Sequence, residues 1–147
     1  MQNKGTVAAG AFQSYSEPLE MNKTIRILLV DDHEVIRQGL RHMLEPEEDM
    51  EVVGDCANGE EAFSKMTRLH PDIVLMDAQM PGMNGIEVLQ KIEEMGSSPT
   101  VIVLTNYSYR QYRARCIYLG ADFFFDKSTE FEKIPEVLEE LIQNFHS

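Results

Sequence analysis

Five residues able to do chemistry together stand at or just past the ends of short apolar runs. Asp31 and Asp32 follow IRILLV (Ile25–Val30), and Asp77 follows DIVLM (Asp72–Met76). Thr105 follows TVIVL (Thr100–Leu104), and Lys127 comes two residues after the run Asp122–Phe125. Three carboxylates gathered in one place repel each other, by ~4 kcal/mol per pair at a separation of ~4 Å and an effective dielectric of ~20. A hard divalent cation resolves that repulsion, and Mg²⁺ takes carboxylate and carbonyl oxygens while keeping waters. The ammonium of Lys127 adds positive charge beside it. Mg²⁺, a lysine and a hydroxyl donor together suit a phosphoryl group. A carboxylate beneath that group can itself be the nucleophile, forming an aspartyl phosphate. Any one of these residues is ordinary at a strand end. All five at matching ends are not.

The elements that must position them alternate in kind. Ile25–Val30 is almost wholly apolar, as expected of a strand buried on both faces. Val35, Ile36, Leu40, Met43 and Leu44 then follow a helical period. Gly39 interrupts that helix at a cost of ~1 kcal/mol relative to Ala, and close packing would explain it. Glu51–Asp55 reads as a more polar strand near an edge. Glu60–Leu69 is a helix with Ala62, Phe63, Met66 and Leu69 on one face, and Gly85–Met95 another with Ile86, Leu89 and Ile92 inward. Ser108–Leu119 and Phe131–Phe145 complete the helices, with Pro135 acceptable only in a first turn. Strands alternating with helices predict an α/β, doubly wound parallel sheet covered on both faces. In such sheets ligands bind beyond the C-terminal ends of the strands.

Composition narrows the class. The chain has 147 residues, room for one domain and an extension. Residues 1–21 read as a flexible N-terminal extension and 22–147 as the domain. Thirteen Lys+Arg against 25 Asp+Glu give a net charge of −12. That disfavours nonspecific nucleic-acid binding and docking on an anionic membrane. Two cysteines, Cys56 and Cys116, make no disulfide scaffold and suggest a reducing compartment, hence a cytoplasmic protein. No apolar run approaches the ~18 residues of a membrane span.

Four pieces in order, VDDHE (Val30–Glu34), VLMDAQMPGMNG (Val74–Gly85), VLT (Val103–Thr105) and GADFFFDK (Gly120–Lys127), carry a family resemblance. The chain resembles the receiver domain of two-component response regulators, over about residues 24–145. The resemblance implies a flavodoxin-like (βα)5 sheet of order 2-1-3-4-5. It implies that Asp77 accepts the phosphoryl group from a histidine kinase or phosphotransfer protein. It assigns Mg²⁺ to Asp31, Asp32, Asp77 and the backbone carbonyl of Gln79. Lys127 would pair with a phosphate oxygen and the Thr105 hydroxyl with another, while Phe124 matches the switch aromatic that follows the threonine.

Some positions depart from the family pattern. Asn84 replaces an aspartate but can still cap a helix. Ser128 replaces a proline after the lysine; a cis bond there would cost ~3 kcal/mol, so a trans bond and a different loop are expected. Asn106 stands where a small residue is usual. Tyr107 and Gln79 occupy positions resembling those that tune self-dephosphorylation, and a bulky Tyr107 would obstruct the attacking water and lengthen the phosphoform's life.

Little sequence follows the last helix, so the chain reads as a stand-alone receiver that signals by protein contacts. Tyr107, Tyr109, Arg110 and Arg113 crowd the fourth helix of an acidic chain and form a candidate partner face. The plainer reading is a solvated helix with Tyr112, Cys116, Ile117 and Leu119 as core. A phosphoryl shuttle or sink and a phosphate-independent binding module are the alternatives. An independent phosphatase would need an acid two residues after the nucleophile, where Gln79 stands. A nucleotide module would need a Gly-rich loop where Asp31 and Asp32 stand.

Overall fold

Runs that are apolar on both faces take the middle of a sheet. A computed structural model describes residues 24–80, 82–96, 99–106 and 110–146. In it β1 (Ile25–Val30), β3 (Ile73–Asp77) and β4 (Thr100–Thr105) are the inner strands and are almost entirely buried. The more polar β2 (Met50–Cys56) and the short β5 (Phe123–Asp126) are the edges. All neighbours are parallel, in the order β2-β1-β3-β4-β5, which is the expected topology. The register between β1 and β2 shifts after Ile27, so that Leu28 faces Gly54.

The helices are α1 (Glu34–Leu44), α2 (Gly59–Leu69), α3 (Gly85–Met95), α4 (Arg110–Tyr118) and α5 (Ile134–His146), the last preceded by a 3-10 turn at Phe131–Lys133. Successive strand residues point to opposite faces, and that alternation builds two cores. Leu28, Val30, Val74, Met76, Val101, Val103 and Phe124 pack with Ala62, Met66, Val88, Leu89, Ile92 and Cys116 of α2, α3 and α4. Ile25, Ile27, Leu29, Ile73, Leu75, Ile102, Leu104 and Phe125 pack with Leu40, Leu44, Ile134, Leu138 and Ile142 of α1 and α5. Pro135 is the second residue of α5, inside the first turn.

Three expectations fail. Val35 is 78% exposed, because it stands about 100° around α1 from Ile36, off the stripe Ile36, Leu40, Met43 and Leu44 that packs on the core. Gly39 faces open space, with nothing within 4 Å of where a Cβ would stand, so close packing does not explain it. Ile117 is 44% exposed and is not core; in α4 only Cys116 is fully buried.

The ends of β3, β4 and β5 lie one residue later than the apolar runs suggest. Asp77 and Thr105 are therefore the last rungs of the ladder, with Asp77 opposite Leu104 and Thr105 opposite Asp126. The loop after Asp77 is clamped by two glycines. A Cβ on Gly85 would lie 2.8 Å from Ala78 Cα, and one on Gly59 would lie 2.2 Å from the Met83 carbonyl oxygen. Asn84 caps α3 in a reciprocal box: its side chain accepts from Glu87 N–H at 3.0 Å, and its own N–H donates to the Glu87 carboxylate at 2.9 Å.

Candidate functional site

The C-terminal ends of β1 and β3 bring Asp31 and Asp77 to either side of one ammonium. Lys127 Nζ lies 2.6 Å from Asp31 Oδ2 and 3.2 Å from Asp77 Oδ2. All three side chains are buried, at 5% exposure or less. The other oxygens are held by the backbone. Asp77 Oδ1 accepts the Gln79 N–H at 3.0 Å, and Asp31 Oδ1 accepts the His33 N–H at 2.8 Å. Each bond fixes the chain as it leaves its strand. Gln79 thus sits beside the acidic group with its side chain exposed.

Asp32 is half-buried and completes the carboxylate set. Oxygens of Asp31, Asp32 and Asp77 and a ring nitrogen of His33 all lie within 4.8 Å of one another. Asp31 Oδ2 faces the Lys127 ammonium at 2.6 Å, and Asp32 Oδ1 is buried without a hydrogen-bond donor, 3.2 Å from a ring nitrogen of His33. Buried carboxylate oxygens with unused acceptor capacity suit a hard divalent cation, so the residues present fit Mg²⁺. Burial pushes the pKa of Asp77 above its ordinary 3.8. The Gln79 N–H and the Lys127 ammonium oppose that rise, and the Asp31 charge adds to it.

Lys127 is positioned from two directions. Its N–H donates to the Thr105 carbonyl at 2.8 Å, tying β5 to the end of β4. The turn that follows is built on Asp126, a residue the sequence reading passed over. Its carboxylate accepts the Ser128 N–H at 2.8 Å, the Ser128 hydroxyl at 2.5 Å and the Thr129 N–H at 3.2 Å. This is an Asx turn, and the spacing Asp-x-Ser was its available signal. The Lys127–Ser128 bond is trans, as expected, and lies within the Asx turn.

Thr105 is fully buried, and Phe124 nearly so. The Phe124 ring meets the Tyr112 ring edge-on, with centroids 6.3 Å apart, and the Arg113 guanidinium lies 5.5 Å from its centre. Tyr112 does more than fill the core: its hydroxyl donates to the Ala78 carbonyl. Of the candidate partner face, Arg110 and Arg113 are exposed on α4, whereas Tyr107 and Tyr109 lie outside the described residues. So do the expected extension 1–21 and the tuning position Tyr107.

Residues 27–139 match the family model of the response regulator receiver domain. The chain belongs to this family. The receiver is 46% identical over 114 residues to the transcriptional regulatory protein LiaR of Bacillus subtilis, covering 78% of this chain and 54% of that protein. It is 35% identical over 112 residues to the nitrate/nitrite response regulator protein NarL of Escherichia coli K12, covering 76% of this chain and 52% of that protein. The receiver therefore spans about half the length of these curated relatives.

Solved structures agree with the fold. A LuxR-family two-component response regulator from Aurantimonas sp. SI85-9A1 superposes with a TM-score of 0.76 at 29% identity, over 83% of this chain and 87% of that one. The response regulator domain of Thermotoga maritima CheB does so at 0.71 and 32%, over 84% and 97%. Receivers are phosphorylatable switches of two-component signal transduction and generally bind Mg²⁺ in an acidic pocket. Among the described residues no helix is long and apolar enough to cross a membrane.

Proposed function

We propose that Asp77 is the phosphoryl acceptor of this receiver and that Asp31, Asp32, Asp77 and the Gln79 carbonyl hold Mg²⁺. The observation that carries the reading is the buried Lys127 ammonium between Asp31 and Asp77, beside a buried Asp32 oxygen that accepts no hydrogen bond. The cation, when bound, neutralises charge on the phosphoryl oxygens. The Asp77 carboxylate attacks phosphorus, and the bond from phosphorus to the donor histidine breaks. An acyl phosphate forms and the histidine is released. Lys127 pairs with one phosphoryl oxygen and the Thr105 hydroxyl donates to another, drawing on the strand end that Lys127 already binds through its N–H. Phe124, packed beside Thr105's strand, passes the change toward α4.

The donor is a histidine kinase or a phosphotransfer protein, and the setting is cytoplasmic. The chain turns over no external substrate: Gln79 offers an amide where a phosphatase would need an acid. Signalling runs through a protein partner at the exposed Arg110 and Arg113 of α4 together with Tyr107 and Tyr109, without direct nucleic-acid or membrane contact.

Intact-mass spectrometry after incubation with a small phosphodonor tests the acceptor. The expected result is one added phosphoryl group that requires Mg²⁺ and is absent from Asp77→Asn. A phosphoryl group retained by Asp77→Asn would overturn the assignment.

A further inference from the structure

The imidazole of His33 is the one member of the acidic pocket's cluster that the proposed reaction leaves without a task. Its ring is largely exposed, yet Nδ1 is turned inward, 3.1 Å from Asp31 Oδ1 and 3.2 Å from Asp32 Oδ1. Nδ1 shares Asp31 Oδ1 as a hydrogen-bond partner with the His33 N–H, which is bonded to it at 2.8 Å. His33 stands at the N-cap of α1 and makes no side-chain capping bond there. The ring therefore serves neither the helix nor the core. It faces two carboxylates that also belong to the divalent-cation pocket.

We propose that His33 gives this pocket a nitrogen ligand, which widens its preference for imidazole-favouring first-row divalent cations of the Co²⁺, Ni²⁺ and Zn²⁺ class over Mg²⁺. The inference rests on the reading of Asp31, Asp32 and Asp77 as a cation pocket. Donors around one such ion, each at ~2.0–2.2 Å, are at most ~4.4 Å apart. The four ligand atoms lie within 4.8 Å of one another, and a tetrahedral set, with donors ~3.4 Å apart, needs them drawn in by about an ångström. Mg²⁺ prefers oxygen and its own waters and gains little from an imidazole. Later first-row cations gain a bond from it. They bind most N/O sites more tightly than Mg²⁺ in any case, so the deciding quantity is how much of the preference depends on His33.

The test titrates the full chain at fixed pH with Co²⁺ alone and with Mg²⁺ alone, by calorimetry, in wild type and in His33→Asn. Asparagine is a favourable N-cap residue, so the variant keeps α1. The Co²⁺-to-Mg²⁺ affinity ratio is expected to fall by about tenfold or more in His33→Asn, with Mg²⁺ affinity nearly unchanged. The imidazole protons of His33 should show paramagnetic shifts with Co²⁺ in wild type. An unchanged ratio with normal Mg²⁺ binding would overturn the role of His33 alone. Wild type that binds neither cation would overturn the pocket itself and this proposal with it.

Discussion

The Tyr112 hydroxyl donates to the Ala78 carbonyl at 3.2 Å, joining the first turn of α4 to the residue after Asp77. The same carbonyl accepts the Gly85 N–H at 3.0 Å. Tyr112→Phe therefore removes one of two bonds and orphans no buried acceptor. Its cost should fall at the mild end for a hydrogen bond, about 0.5–1 kcal/mol, with the edge contact to Phe124 kept. Urea unfolding of the pair checks the size. Amide exchange should quicken in α4 and leave the β1–β3 core unchanged.

Asp77→Asn should stabilise the metal-free protein at neutral pH, on the order of 1 kcal/mol, by removing a buried like charge. The sign of its pH dependence is fixed by the raised pKa of Asp77. The folded state favours the protonated carboxyl, so this residue's contribution is full below its unfolded pKa and is lost as pH rises through the folded one. The gap in melting temperature between variant and wild type should therefore open as pH climbs above 3.8 and then level. Thermal scans in chelator across that range measure it, and a gap that narrows with rising pH would contradict the charge argument.

The same substitution should act with opposite signs at two glycines. Gly39→Ala, in open space on α1, should add up to ~1 kcal/mol through helix propensity. At Gly85 the new methyl would press on Ala78 Cα at 2.8 Å. Overpacking of that kind costs about 1–3 kcal/mol, and here it would also move the chain beside Asp77. Denaturation midpoints of the two variants should shift in opposite directions.

Burial pushes the thiols of Cys56 and Cys116 up to about 11. Neither should react with a maleimide in the native state at pH 8, and both should react once the chain unfolds. A pKa raised by folding means that stability is present below 9 and lost as pH climbs toward about 11. Replacing Cys116 with alanine should flatten part of that alkaline decline in a pH series of urea midpoints.

The central strands and the charged residues at their ends were legible because burial on both faces leaves an unbroken apolar run, as in IRILLV. The pocket was legible because Asp31, Asp77, Thr105 and Lys127 end strands that lie side by side. Helix faces were harder to read. Val35 extends the apolar run of α1 but falls off its buried stripe, while its neighbour Ile36 packs on the core. Ile117 fits no better, since α4 with its three arginines buries only a narrow strip around Cys116. The Asx turn of Asp126 was less legible, because the lack of a proline at 128 does not say what replaces it; Asp126 and Ser128 make one structure. The inward set of the His33 ring, on Asp31 and Asp32, is a side-chain orientation that no residue spacing reveals.

Lys127 joins the pocket from far along the chain, and synthesis proceeds from the N-terminus. The three carboxylates are all made by residue 77, and the ammonium that lies between two of them comes 50 residues later. At ~5–20 residues per second that is an interval of a few seconds. Throughout it, β1 and β3 can pair only by bringing Asp31 and Asp77 together without their counter-charge. A divalent cation present during translation would fill that role, so the ion that serves the finished switch would also ease the first pairing of its strands.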